Sequence, residues 1–164
     1  MEHKAYAFNW PEYEAQLRPH LHAALAKNDP TPLATWIGTN LAELTDPYEG
    51  GQLEEDWEGQ LSSRDVDEYG DFALTKFYNL LEDWGLGDGW IDIVDRYPEV
   101  REATLGSPET SGSRTFDPGK MGSYFITPAN TQAAMELLTV IDDKDLQEFR
   151  EFLSHCAKGA YVTF

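Results

Sequence analysis

Carboxylates are the most abundant side chains in this sequence that are capable of chemistry, and their distribution is uneven. The 164 residues include 30 acids and 12 bases, which gives a net charge of −18. Residues 43–71 alone hold eleven acids against one base, Arg64. Such a negative field repels nucleic acid and anionic membranes, and it attracts basic surfaces. We therefore expect a basic protein partner, with no binding to nucleic acid or to a membrane.

The acidic stretch at residues 43–71 is the first candidate for a contact surface. Two aromatic residues lie among its acids. The residues that we predict to contact a partner are Asp46, Tyr48, Glu54, Glu55, Asp56, Trp57, Glu58 and Asp65. The alternative interpretation is a solvated acidic face that only keeps the protein soluble, or the composition of an acidic, salt-adapted proteome.

A long segment at residues 106–122 supplies the second set of candidates. It holds four glycines and two prolines. Loops longer than ~12 residues without their own structure are uncommon in compact domains, and they tend to be functional or disordered. If this loop covers a pocket, Asp117, Lys120 and Tyr124 are the candidate residues of a small enzyme.

Signatures of metals and cofactors are incomplete. The segment that begins at Asp65 starts like an EF-hand loop, but Tyr69 occupies its fifth position and Lys76 its twelfth, where a bidentate carboxylate is required. The four histidines lack zinc-binding spacing. No phosphate-binding or dinucleotide-binding fingerprint is present. We therefore predict neither a metal nor a cofactor.

The single cysteine and the hydropathy of the chain indicate a compartment. Cys156 permits no internal disulfide, and its place on an apolar helix face predicts a buried, inert thiol. No apolar run reaches the ~20 residues that span a bilayer. The first residues lack the basic and apolar regions of a signal peptide. Together these features predict a cytoplasmic protein.

The elements that position these residues are organised around residues 66–97. Apolar residues recur there at steps of three and four, at Val66, Tyr69, Ala73, Phe77, Leu80 and Trp84. This period predicts a buried central helix over residues 66–84, capped by Gly85. A second short helix is predicted to begin at residue 90 and to end before Pro98.

Strand patterns lie near the two ends of the sequence. Residues 4–8 are predicted to form an edge strand, and residues 123–127 and 160–164 two further strands, which a pair of helices connects. The prediction is an α+β fold: a single, mostly helical domain over residues 1–164 with an irregular loop at 106–122. Its central helix is apolar, and the C-terminal strands, with the N-terminal one as a third, form a small sheet.

The C-terminal part also resembles a known family. A glycine-rich loop is followed by the strand and cap GSYFITP, by AAMELLTVIDDKDL, by an amphipathic helix and by a final strand. This order resembles the end of YfbM-like bacterial domains over roughly the last sixty residues. The resemblance implies an α+β fold, and it supplies no catalytic or binding residues.

Three functional hypotheses follow from the sequence. The first is an acidic cytoplasmic protein that binds a basic protein and blocks or regulates it, as bacterial immunity proteins do with basic nuclease toxins. The second is a small enzyme whose site lies under residues 106–122. The third is a structural or adaptor domain without chemistry. The sequence leaves the oligomeric state open.

Overall fold

A computed structural model describes residues 4–85 and 95–164. The helices in these ranges are α1 (Trp10–Gln16), α2 (Arg18–Lys27), α3 (Thr31–Thr39), α4 (Val66–Leu74), α5 (Pro98–Leu105), α6 (Pro128–Thr139) and α7 (Gln147–Ser154). The strands are β1 (Lys4–Ala7), β2 (Thr110–Ser111), β3 (Arg114–Thr115), β4 (Ser123–Ile126) and β5 (Ala160–Thr163). Short 3₁₀ helices occupy Leu41–Glu43, Trp57–Gln60 and Lys144–Leu146. This confirms the predicted α+β class.

The main sheet joins the two ends of the chain. Its strand order is β1-β5-β4, and both pairings are antiparallel. The C-terminal strand is therefore central, and Tyr161 lies opposite Tyr6 on one side and opposite Phe125 on the other. The N-terminal strand is a member of this sheet at its edge, as the sequence predicted.

Helices cover both faces of this sheet because successive strand residues point to opposite faces. Tyr6, Phe125 and Tyr161 belong to one core cluster, which they share with buried residues of α1 to α4. Ala5, Ile126 and Val162 belong to a second cluster with buried residues of α5, α6 and α7. The sheet thus separates two hydrophobic cores.

The prediction of one helix over residues 66–84 is wrong in its second half. Helix α4 begins at Val66 with Asp65 as its N-cap, but it ends at Leu74. The chain then runs beside β1: the N–H of Asn9 donates to the carbonyl of Phe77 at 2.8 Å, and Tyr78 bridges to Phe8. Residues 75–77 form a turn and a bend, Phe77 and Trp84 contact different cores, and Leu81 is 91% exposed. The apolar residues of this stretch therefore do not form one helical face.

The prediction for the end of this stretch also needs correction. Gly85 has a positive φ of 63°, but it does not end a helix, and its N–H donates to the Asp83 carboxylate. Asp95 and Arg96 are helical and Tyr97 is not, so the described end of the preceding helix lies before Pro98, as predicted. Pro98 itself begins α5, whose first turn tolerates proline because that position needs no intrahelical N–H donor. The residues predicted to begin the second helix, 90–94, lie outside the described residues.

None of the helices in the described ranges is long and apolar enough to cross a membrane.

Candidate functional site

A pocket of about 310 Å³ opens at one end of the main sheet. Its wall combines the start of β1, the end of β5, residue 71 of α4 and residues 118, 119 and 121 of the long loop. The charged groups in the wall are Lys4 and Asp71, and four tyrosines line it: Tyr6, Tyr48, Tyr78 and Tyr161. This volume is at the lower end of the range of ~300–1,000 Å³ found for ligand pockets.

Asp71 is the acidic residue of the pocket wall, and its pKa is strongly shifted. Burial raises the pKa of its carboxyl from 3.8 to about 6, although a hydrogen bond from Tyr48 and the charge of Lys4 act in the opposite direction. The neighbouring carboxylates Glu68 and Asp67 raise this pKa further. The folded protein therefore disfavours the ionised form of Asp71 unless another positive group approaches it.

The tyrosines form a packed aromatic wall beside this carboxyl. The rings of Tyr6 and Tyr78 stack with their centroids 4.3 Å apart, and the Tyr161 ring lies 5.8 Å from that of Tyr78. Burial, followed by the charge of Asp71, raises the pKa values of Tyr78 and Tyr161 well above the ordinary value. These phenols therefore stay neutral at physiological pH and can donate hydrogen bonds.

The long loop at residues 106–122 makes hydrogen bonds to the helices both before and after its central hairpin. It contains the hairpin β2-β3. Ahead of that hairpin, Glu109 is buried and its carboxylate accepts from Tyr13 Oη at 2.7 Å, from Arg18 Nε at 2.9 Å and from Arg18 Nη2 at 3.3 Å. His22 Nε2 lies 2.7 Å from the same carboxylate. Because both Glu109 oxygens are engaged, this cluster holds the loop against α1 and α2 and leaves little access for a substrate.

A second contact between the loop and a helix involves two of the loop candidates, Asp117 and Lys120. Asp67 of α4 accepts from the Asp117 N–H and from Lys120 Nζ, both at 3.0 Å. Asp117 in turn accepts from the Gly122 N–H at 3.0 Å. Tyr124 packs with the second core, and its ring lies 6.1 Å from that of Phe164. None of these three candidates lines the pocket, whose loop wall is made by Pro118, Gly119 and Met121.

Several acids of the stretch at residues 43–71 have structural partners. Asp46 is buried and accepts from the N–H groups of Tyr48 and Glu49. Asp65 accepts from the N–H of Glu68 at the start of α4. Burial alone would raise the pKa of Glu68, but hydrogen bonds from residues 62–64 outweigh it and lower the pKa to about 2. These acids stabilise turns and a helix start.

The remaining predicted contact residues differ in exposure. Trp57 is 3% exposed and packs against Tyr69 and Phe72, so it is a core residue. Glu58 is exposed and accepts a hydrogen bond from Tyr69 at 2.9 Å. Glu54, Glu55 and Asp56 are exposed, and we call these three residues the acidic loop. No residue of the acidic loop forms an ion pair in the described parts of the chain.

Cys156 is buried as predicted. Its thiol donates to the Phe152 carbonyl at 3.2 Å, and burial raises its pKa to about 12. Within residues 4–85 and 95–164, no group of three His, Cys, Asp or Glu side chains is placed to hold a metal ion.

Sequence reasoning missed the pocket and the Glu109 cluster. Asp71 was assigned to the central helix and to the end of the acidic stretch, not to a pocket, and the tyrosines around it come from four separate segments. Glu109 is 87 residues from His22 and 96 from Tyr13 in sequence. No local spacing relates residues so distant, and the one available signal was a lone glutamate in the long loop.

No family model matches the chain, and neither a curated protein nor a solved structure matches it. The resemblance to YfbM-like domains therefore stays a prediction.

Proposed function

We propose that the protein binds a basic protein partner through the acidic loop and thereby blocks or regulates that partner. The observation that carries this proposal is the exposure of three consecutive carboxylates, none of which has an ion-pair partner in the described structure. Elsewhere in the same stretch, acids such as Asp46 and Glu68 are used internally. The acidic loop is therefore open to an external contact.

The surroundings of the acidic loop suit a docking surface. Tyr48, on the same connection between α3 and α4, is 63% exposed, and exposed tyrosines are enriched in protein interfaces. A chain with a net charge of −18 also attracts a basic protein over long distances, which raises the association rate. We place this interaction in the cytoplasm, and inhibition of a basic nuclease toxin by an immunity protein is the version that fits these features.

The test compares two variants with equal changes in charge. One carries Glu54→Gln, Glu55→Gln and Asp56→Asn in the acidic loop. The control carries Glu136→Gln, Glu148→Gln and Glu151→Gln, at exposed positions of α6 and α7. Each protein is immobilised and used to capture proteins from an extract of its native cell at low and at high salt.

We expect a basic protein that the wild type and the control variant retain and the acidic-loop variant loses. High salt should weaken this capture because exposed charges are screened beyond ~8 Å at physiological ionic strength. If the control variant loses the same protein to the same degree, the acidic loop is not the docking surface.

A second candidate function is catalysis in the pocket next to the long loop. The observation in its favour is Asp71, whose pKa of about 6 suits general acid–base work near neutral pH. An enzyme of this kind would lose turnover in Asp71→Asn while retaining activity in the acidic-loop variant. Equal activity in Asp71→Asn and the wild type would exclude this role for Asp71.

A further inference from the structure

The pocket contains a carboxylate, Asp71, that makes no ion pair with any of the described residues. Asp71 takes part in none of the ion pairs in residues 4–85 and 95–164. Lys4 lies in the pocket wall, and its charge lowers the pKa of Asp71, but burial has the larger effect and raises that pKa. A cation that enters the pocket would therefore meet an acid that is only weakly compensated.

The Tyr161 hydroxyl is a second group in the pocket that lacks a partner. Tyr161 is 1% exposed, and its hydroxyl makes no hydrogen bond to any described residue. The hydroxyls of Ser123 and Thr163 lie near enough to affect its pKa, but they hydrogen-bond to each other at 2.9 Å. A buried polar group without a hydrogen bond costs ~1–3 kcal/mol. The hydroxyl is both buried in the pocket wall and unpartnered among the described residues, so an N–H group of a guest that reached it would relieve this cost.

The other residues of the pocket wall and rim indicate which further chemical groups a bound molecule should have. Tyr6 and Tyr78 offer aromatic rings, which attract cations held within ~6 Å of their centres. At the rim, Tyr48 and Met121 are 63% and 59% exposed, and both line the pocket. An apolar rim above an acidic floor matches a side chain that has an aliphatic stem and a cationic head.

We infer that the pocket receives a single guanidinium or ammonium group on an aliphatic stem, presented by an arginine or lysine side chain of the basic partner. The cationic head lies against Asp71 and Tyr161, and the stem packs against Tyr48 and Met121. This inference rests on the proposed function, and it adds to it the one side chain that the protein recognises in detail. An anionic guest is disfavoured because it would face Asp71 in a chain with a net charge of −18.

The first experiment uses short peptides, so that it does not depend on identification of the partner. A capped glycine–arginine–glycine peptide and its citrulline counterpart, which has the same shape without the charge, are titrated into the wild type by calorimetry. We expect the arginine peptide to bind at least about tenfold more tightly, as for a hydrogen bond to a charged group. Equal binding of the two peptides overturns the inference.

Three variants then locate the binding. Asp71→Asn should bind the arginine peptide at least about tenfold more weakly than the wild type does. Tyr161→Phe should weaken it several-fold, and it keeps the test valid if Asp71→Asn does not fold. Lys4→Met should strengthen binding because it removes a competing charge. The acidic-loop variant should bind the short peptide as the wild type does, and a loss equal to that of Asp71→Asn would contradict a specific pocket.

The same variants separate this inference from the proposed function when they are tested on the captured partner. If the acidic-loop variant loses the partner and Asp71→Asn does not, the docking proposal stands and the pocket inference fails. If Asp71→Asn loses it and the acidic-loop variant does not, the pocket inference stands and the docking proposal fails. If free ethylguanidinium binds as tightly as the peptide and Asp71→Asn retains the partner, the pocket is a site for small cations, which overturns recognition of a partner side chain.

Discussion

Replacement of Asp71 by asparagine should stabilise the protein, and by an amount that depends on pH. Burial raises the pKa of this carboxyl from 3.8 to about 6 in the folded chain. One pKa unit corresponds to ~1.4 kcal/mol, so the charge of Asp71 lowers the free energy of unfolding by up to about 3 kcal/mol. Because asparagine has the same size and no charge, we expect Asp71→Asn to recover about 1–3 kcal/mol of this loss.

The pH range of the effect follows from the two pKa values. Below pH 3.8 Asp71 is protonated in both the folded and the unfolded chain, so wild type and variant differ by a constant amount. Between pH 3.8 and about 6 the unfolded chain releases this proton and the folded chain keeps it, so the wild type loses stability relative to the variant. Above about pH 6 the difference levels off at its maximum.

The assay is urea unfolding of both proteins, followed by circular dichroism from pH 3 to 8. Other groups around Asp71, namely Lys4, Asp67, Glu68 and the tyrosines, are the same in both proteins, so the difference isolates Asp71. Glu54→Gln, at an exposed position, is the control and should change stability by no more than ~0.5 kcal/mol at any pH. A difference between Asp71→Asn and wild type that is flat across this range would refute the reasoning.

Three further predictions concern stability and reactivity. Phe77→Ala should cost ~3–5 kcal/mol in thermal or urea unfolding because the ring is 3% exposed and packs near Phe8, Tyr13 and Trp36; a loss below ~1 kcal/mol would mean that the ring is not in the core. The wild type should lose stability as the pH falls from 4.5 towards about 2, where Glu68 takes up its proton, and Glu68→Gln should lose less over this range. Parallel curves for the two proteins would contradict this assignment. Cys156 should react slowly with a thiol reagent in the folded protein and quickly in urea, and fast native labelling would show that its thiol is accessible.

The α+β class could be predicted from the sequence because its strands and helix starts are determined by local residue patterns. The strands near the ends are short, largely buried runs, and the caps at Asn9 and Thr127 accept from N–H groups three residues ahead. The prediction of one long helix over residues 66–84 was wrong for a physical reason. Residues 75–85 contain turns and one bridge from Tyr78 to Phe8, and their apolar side chains contact two different cores or, at Leu81, lie exposed. Periodicity alone cannot distinguish such a segment from a buried helix.

The candidate site was much less predictable. Charge density identified the stretch at residues 43–71, but it could not separate Asp46 and Glu68, which hold turns together, from the exposed acidic loop. The pocket depends on β1 and β5, the two ends of the chain, which bring Tyr6 next to Tyr161. The pKa of Asp71 is raised mainly by that enclosure, and further by the nearby carboxylates Glu68 and Asp67.

The most direct test of the proposed function is the association rate of the captured basic partner, measured by stopped flow at several salt concentrations. The account predicts that the acidic-loop variant associates more slowly per charge removed than the control variant on α6 and α7, and that this difference shrinks as salt rises. Dissociation rates should change less, because exposed charges act mainly on encounter. If both variants lose association rate equally per charge, the attraction comes from the diffuse field of the whole chain, and the acidic loop is not a docking surface.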